Sequence, residues 1–540
     1  MVQYLRNELH LPLVQATNIL NNFAGTSSLT PIVGALIADS FAGQFWTITV
    51  GSILYQLGML GVTISAILPE LRPPPCPNQS PSCQKASTWQ QTIFYASLFL
   101  TAVGSGGIRP CVVAFGAEQL VPEPRTSPES GKKQKWNFFN LYFLCIGVSV
   151  MLALTVVVYI QDNLGWGLGF GIPTAAMFVS VVVFVSGYPL YIKQRPGGSP
   201  LTRMAQVVVA AVRKRRLRVP TDASLLYQDK EIDAGITTAG RLSHTKQFKF
   251  LDRAAITGDG DMSETGRPLP WRLSTVHRVE ELKFIFRIIP IWSVGIIIVA
   301  AGNNFTFPIV QAKAMNRRIA GHFNIPPATL LIFSAITMLL TLSIYDRVLI
   351  PLARRLTGHP GGISPFRRMG FGLAIYILSN VAAAVVESQR RRAAVKLDVF
   401  WLVPQYALHG VAEGFAAVGL MEFLYDQAPE SMKSLSAALY WLSISLGHYG
   451  GTLLVTTVNG FTKKWRKSGS WLENDIDKGR LDYFYWLLAG LQVFNLGYFL
   501  FCARFYVFKR LEIAGDLEEK GGGEVGVVAG ATPDEGEVGT

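Results

Sequence analysis

Eleven stretches of about 20 apolar residues dominate this chain, and a helix of that length is what crosses about 30 Å of hydrocarbon. They run from Thr17 to Ala38, Trp46 to Leu68, Thr92 to Ala117, Phe138 to Ile160, Gly167 to Ile192, Phe284 to Ala301, Ala328 to Tyr345, Met369 to Val386, Val399 to Tyr425, Leu435 to Val458 and Phe484 to Phe505. Backbone polar groups in a bilayer must pair within the segment, so these stretches predict an all-α integral membrane protein. Composition agrees: 50% of residues are hydrophobic and 16% charged, against about 25% charged in a soluble domain.

One hydrophilic segment, residues 194–283, interrupts the series, with five spans before it and six after. Carriers are often built from matched halves, so the asymmetry and the polar start from Met1 to Glu8 lead to the expectation that a first span is missing. No cleavable signal peptide is visible in the first residues. The expected organisation is an N-terminal bundle lacking its first span (1–193), a cytoplasmic basic linker (194–283), a six-span bundle (284–510) and a tail (511–540). From Gly515 onward the tail is rich in Gly, Glu and Asp without an aromatic residue, a composition expected to be disordered.

Basic loops next to spans stay on the cytoplasmic side. With the central segment placed inside, 31 of the 49 Lys and Arg fall in inside segments, whereas Arg390 to Arg392 and the run Lys463, Lys464, Arg466, Lys467 fall outside. The net charge of +13 is dispersed along loop edges rather than gathered on a recognition module, which argues against nucleic acid as a partner and for a lipid surface. Met204 to Val212 followed by Arg213, Lys214, Arg215, Arg216 and Arg218 reads either as an interfacial amphipathic helix or as a solvated charge run. Of five cysteines, Cys76 and Cys83 share an outside loop where a disulfide is possible in an oxidising compartment, while Cys111, Cys145 and Cys502 fall in spans and read as packing residues.

Arg109 is the only charged residue among the 26 from Thr92 to Ala117, preceded by Gly104, Gly106 and Gly107 and followed by Pro110. A mid-bilayer arginine costs at least about 2.5–3.5 kcal/mol on insertion scales, so it usually faces protein or a water-filled path. It implies an anionic substrate, or else an internal strut locked to a carboxylate. His409 and Glu413 lie four apart on one helical face; two ligands without a third make a poor metal site, whereas a carboxylate beside an imidazole suits proton transfer. The chain has no phosphate-cradling Gly-rich loop ending in Lys-Ser or Lys-Thr, no His-Glu-x-x-His and no zinc-spaced cysteine pairs. No enzyme activity, cofactor or metal is expected, and the energy source implied is a proton gradient.

The block Gly104-Ser-Gly-Gly-Ile-Arg109-Pro-Cys-Val-Val-Ala-Phe-Gly116-Ala-Glu-Gln119 resembles the signature of the plant nitrate/peptide transporter family, proton-coupled members of the major facilitator superfamily. Further similar blocks are Gly34 to Gly43, Trp271 to Lys283, Pro404 to Glu413 and Tyr425 to Lys433, and the wording is most similar to the nitrite transporter-like subgroup. The resemblance implies 12 spans in two helical bundles, of which about 11 are present here, working by alternating access. It implies a substrate site at Arg109 and a proton-coupling carboxylate at Glu413, with His409 assisting it or packing. Asp39, Asp426, Glu430 and Lys433 fall where gating contacts are expected, although Gln44 stands where the family usually has a basic residue.

Two departures narrow the expected substrate. Gly147 occupies the place of an asparagine that peptide carriers use, and Gly302 the place of a histidine used for nitrate in part of the family. Asn303 and Asn304 follow Gly302 and can donate hydrogen bonds to an anion; Tyr406 and Trp441 are candidates to shape the pocket, with Tyr142 and Phe305 as weaker ones. The first-helix motif of two glutamates and an arginine has no counterpart. The expected function is proton-coupled transport of a small anion or carboxylate, such as nitrite, nitrate or a plant hormone like gibberellin, at the plasma membrane or plastid envelope. A non-transporting membrane receptor or scaffold, an inactive truncated product, and a di- or tripeptide symporter are the alternatives.

Overall fold

A computed structural model describes the chain except for residues 75–83, 85, 120–144, 193–199, 221, 230–232, 234–240, 265, 303–305, 321–322, 358–362, 430–431, 466–468, 509–510 and 513–540. Cys76, Cys83, Asn303, Asn304, Glu430, Tyr142, Phe305 and the expected disordered tail therefore lie outside the described residues, as do the side chains of Asp39 and Lys433. The chain divides into two compact units, one of residues 1–199, 289–426 and 434–506, the other of residues 200–288, 427–433 and 507–540.

The first unit is a helical assembly. Its N-terminal half holds α1 (Val2–Asn7), α2 (Leu13–Ile37), α3 (Gly43–Ile67), α4 (Thr88–Glu118), α5 (Cys145–Asn163) and α6 (Trp166–Ser186). Two more helices enter the series at residues 200–213 and 276–302, α7 (Pro200–Arg213) and α8 (Val276–Gly302), the latter running on from the second unit. The C-terminal half continues with α9 (Thr306–Ala314), α10 (Leu331–Ile344), α11 (Ile350–Thr357), α12 (Pro365–Arg392), α13 (Val403–Ala412), α14 (Val418–Gln427), α15 (Lys433–Trp465) and α16 (Leu481–Phe505). Eight helical segments among the described residues are long and apolar enough to cross a membrane, the first of them covering both α2 and α3. With no water in hydrocarbon to take up N–H and C=O groups, continuous helices are what these sequences can form.

Glycine decides how closely the N-terminal helices approach. A Cβ on Gly106 would come within 2.6 Å of the Thr30 Cβ on α2, and one on Gly107 would run into the Thr47 carbonyl on α3. Helices in lipid associate through such small residues because lipid tails offer no hydrophobic drive between them. The glycines ahead of Arg109 thus clamp α4 against α2 and α3.

A π-helical turn, Ala38–Ala42, follows α2, and another, Tyr345–Leu349, follows α10, six spans later in the sequence count. An offset of six is what two matched six-span halves produce. The halves meet along α2 and α15, where Asn18 donates to Thr456 (2.9 Å), Thr452 to Asn22 (2.8 Å) and Ser445 to the Gly25 carbonyl (2.8 Å), with Thr26 bonded to the Tyr449 hydroxyl (2.7 Å). On the side assigned outside, Arg6 donates to the Asn474 carbonyl, and Lys313 to Asn7.

Arginines on that same outer side are held by specific partners. Arg390 grips Glu387 with two bonds of 2.8 and 2.9 Å and reaches Asp477 at 2.7 Å, while Arg391 donates to the Gly479 carbonyl. Their position follows from local pairing rather than from the loop-charge bias.

The second unit has its own small core. Val207, Ala210 and Ala211 on α7 pack with Leu251, Ala254 and Ala255 and with Val276, Val279 and Leu282 at the start of α8. The helix expected over Met204–Val212 forms, with Val207, Ala210 and Ala211 in the core of its own unit and Val208 and Val212 exposed. Lys214, in the basic run, is itself buried, 2.6 Å from Asp261. Deeper in, the fully buried Lys283 lies 2.7 Å from Asp252 and 2.8 Å from Glu280 and donates to the Thr245 carbonyl, and Arg287 caps Glu280 at 3.0 Å. Short antiparallel strands, β1 (Arg241–Leu242) and β4 (Leu511–Glu512), pair in this unit; β2 (Arg318–Ala320) and β3 (Phe323–Asn324) pair in the first.

Two outcomes follow. Gly107→Val should carry an overpacking cost of about 1–3 kcal/mol, read as a lower apparent melting temperature of the purified protein, whereas Gly490→Val, where a Cβ meets nothing within 4 Å, should leave it unchanged. Lys283→Met strips a buried partner from two carboxylates, a change that costs about 3–5 kcal/mol, and should accelerate chymotryptic cleavage within residues 200–288.

Candidate functional site

Arg109 owes its position to its neighbours in sequence. With the glycine face of α4 turned to α2 and α3, Arg109 is left exposed although it sits within a 31-residue, mostly apolar helix. Its guanidinium carbon lies 5.5 Å from the centroid of the Trp441 ring on α15, within the range of a cation–π contact. Tyr55 on α3 stands within electrostatic range. Trp441 belongs to the other half, so the arginine faces across the halves rather than into its own bundle.

Glu413 is presented by a different device. Below α13 the helix widens into a π turn, Glu413–Ala417, that begins at this residue. Such turns recur at functional sites because they re-aim a side chain without ending the helix. Glu413 is half-buried, with Tyr376 of α12 and Tyr440 of α15 in electrostatic range. His409, one turn earlier, is buried with its ring 5.3 Å from that of Tyr376, near edge-on at 73°. Histidine and glutamate therefore share Tyr376 as a common wall.

Tyr440 and Trp441 join the two charged positions. They are adjacent on α15, with ring centroids 5.9 Å apart; Trp441 lies under the Arg109 guanidinium and Tyr440 is in electrostatic range of Glu413. Among the described residues no ion pair joins Arg109 to Glu413; in this state the arginine rests on an aromatic face.

The remaining expected site residues are distributed less evenly. Gly302 closes α8 beside this cluster, where a Cβ would approach the Tyr376 ring to 3.3 Å. Gly147 on α5 is open, its nearest neighbour a Leu339 methyl at 4.0 Å. Tyr406 is 2% exposed and packs with Leu330, Leu402 and Ala312 in a core cluster. Asp426 is exposed at the end of α14. Sequence reasoning missed Tyr55, Tyr376 and Tyr440, whose aromatic character in spans looks like packing until the fold turns them towards the two charged residues.

One group of potential metal ligands exists among the described residues, in the second unit, where His244, Asp252 and Glu280 bring ligand atoms within 4.8 Å. The Lys283 ammonium already bridges both carboxylates there. A lysine thus supplies the positive charge that these groups require.

A sequence profile described as the POT family matches residues 45–472. Among curated proteins, the chain is 51% identical over 534 residues to an Arabidopsis thaliana protein named NRT1/PTR family 3.1, covering 96% of this chain and 89% of that one. It is 42% identical to Arabidopsis NRT1/PTR family 8.5, covering 93% and 85%. Among solved structures, an auto-inhibited POT family peptide transporter aligns with a TM-score of 0.69 at 20% identity over 95% of this chain and 93% of that one. A POT family transporter in complex with 5-aminolevulinic acid aligns with a TM-score of 0.60 at 12% identity over 94% and 91%, and a POT peptide transporter in complex with sulfate with 0.59 at 15% over 92% and 87%. At such identities the structures speak for the fold, that of the major facilitator superfamily.

Proposed function

Since this chain belongs to the POT family of membrane transporters, we propose that it is a proton-coupled carrier of a small anion or carboxylate, nitrite or nitrate foremost, operating by alternating access. The observation that carries this reading is Arg109, a cation exposed on a long, mostly apolar helix and resting on an aromatic ring. A guanidinium offers several N–H donors in a fixed fork suited to a planar oxyanion. An incoming anion would take its place beside Arg109 and Trp441.

Coupling then rests on Glu413. An ionised glutamate near the binding region competes with a bound anion through like-charge repulsion, and protonation removes that repulsion. Proton and anion thus favour each other's binding, a reciprocal linkage, and the neutral loaded state is the one whose passage between the two openings costs least in charge burial. His409, sharing the Tyr376 wall, is placed to relay or orient a proton.

Gly147 supports an anion over a peptide. Where peptide carriers present an amide side chain, this chain presents none.

Labelled nitrite, nitrate and a dipeptide supplied to oocytes across a pH step test the proposal. Uptake of nitrite or nitrate should rise at acid outside pH, and Glu413→Gln should reduce pH-driven uptake at least about tenfold, the loss of about 1.4 kcal/mol of coupling, while sparing counterflow. PH dependence unchanged in Glu413→Gln would sink the coupling role; saturable binding without flux would favour a receptor, and dipeptide uptake alone a peptide symporter. Trp441→Ala should raise the half-saturating anion concentration several-fold, as expected for losing a contact of about 1 kcal/mol.

A further inference from the structure

The π turn at Glu413 leaves a backbone mark. In an α-helix the Val418 N–H would bond the Gly414 carbonyl four residues back; here it bonds the carbonyls of Glu413 and Phe415. The Gly414 carbonyl, released by the wider turn, is taken up by a side chain instead: Arg368 of α12 donates to it through Nη2 at 3.1 Å in a buried contact. A carbonyl left without a partner in this setting is costly, so the arginine stabilises the π form over the regular helix.

Arg368 is in turn fixed on two other sides. Its Nη1 pairs with Glu422 on α14, and its guanidinium lies 4.1 Å from the centroid of the Tyr345 ring. Arg368 is buried, 5% exposed, so its charge has been removed from water and rests on these contacts. The packing around the turn is equally close. A Cβ on Gly372, one turn along α12 from Arg368, would come within 2.7 Å of the Ala416 Cβ, and Phe415 is flanked edge-on by the rings of Tyr345 and Phe371.

We propose that Arg368, anchored by Glu422, is a positioning residue for Glu413: it locks the π turn Glu413–Ala417 and thereby fixes the direction in which the Glu413 carboxyl points. The inference rests on the reading of Glu413 as the coupling carboxylate for its functional meaning, but the geometry can be probed without transport. A regular helix through the same residues would shift every side chain before the turn relative to those after it by about 100°, the angle of one residue. Loss of the lock would therefore re-aim Glu413 without touching any atom of it.

The test uses the full-length protein reconstituted in liposomes, with dicyclohexylcarbodiimide as the probe and mass spectrometry to read labelling of the Glu413 carboxyl at one fixed pH. Arg368→Gln should change the labelling rate at Glu413 at least fivefold, with labelling of Glu387 unchanged. Glu422→Gln, which leaves the arginine but removes its anchor, should shift the rate in the same direction by less. Arg368→Lys, still able to donate to the Gly414 carbonyl, should stay within twofold of the parent. A Glu413 rate unchanged in both Arg368→Gln and Glu422→Gln overturns the proposal, and so does loss of pH-driven nitrite uptake in Arg368→Gln without any change in labelling, since that marks a purely structural arginine. If instead labelling shifts as expected while Glu413→Gln retains its pH dependence, the coupling role falls and the positioning role stands.

Discussion

A charged side chain inside a membrane-spanning bundle has to be given polar company by the protein, because hydrocarbon gives none. The charged groups of this chain satisfy that demand in three ways. Arg368 and Arg390 are gripped by carboxylates, Arg368 also by a carbonyl, and act as struts. Among the described residues Arg109 has the aromatic face of Trp441, Tyr55 in electrostatic range and an open side. Glu413 is given phenolic neighbours and a π turn that no regular helix would supply. A fully paired buried charge has little left to offer a ligand, whereas a charge resting on a quadrupole keeps its donors available. That contrast separates the structural ions from those of the candidate site.

Apolar stretches made helical spans legible because they depend on residue types within one short segment, whereas the close helix contact at the glycines before Arg109 emerged only from the fold. The identity of the partners is not local either. Tyr376, Tyr440 and Tyr55 reach the site from α12, α15 and α3, and nothing local distinguishes a tyrosine that walls a charge from one that packs. In the sequence Arg368 is one more arginine beside Arg367 near a span end; its bond to the Gly414 carbonyl exists because of a π turn some 45 residues later, for which the sequence carries no simple period.

The amphipathic segment at 200–213 shows the same limit from the other direction. Its pattern of apolar and basic residues satisfies a bilayer surface and a small protein core equally well, because both present one apolar face and one polar face. Leu251, Ala254 and Ala255 in a neighbouring turn, together with the start of α8, cover one side of the helix, and Val208 and Val212 are left exposed on another. Charge counting failed at Arg390 to Arg392 for a related reason. The inside bias describes loops free to choose a side, and an arginine clasped by Glu387 and Asp477 is part of the folded structure rather than of a free loop.

These distinctions bear on how a transporter of this build stores its specificity. Arg109 lies over Trp441, and Glu413 is in electrostatic range of the adjacent Tyr440 on the same helix. A movement of α15 therefore acts on both at once, and α15 is also the helix whose hydrogen-bonded rungs join it to α2. Opening along those rungs must shift the two rings together relative to α4 and α13. On the proposed reading, substrate affinity and proton affinity would be coupled through the position of one helix, without requiring a direct ion pair between arginine and glutamate. The rungs themselves are neutral hydrogen bonds, each with a net worth of only about 0.5–1.5 kcal/mol, so a set of them can hold one state firmly and still be exchanged for another when a ligand contributes a comparable amount.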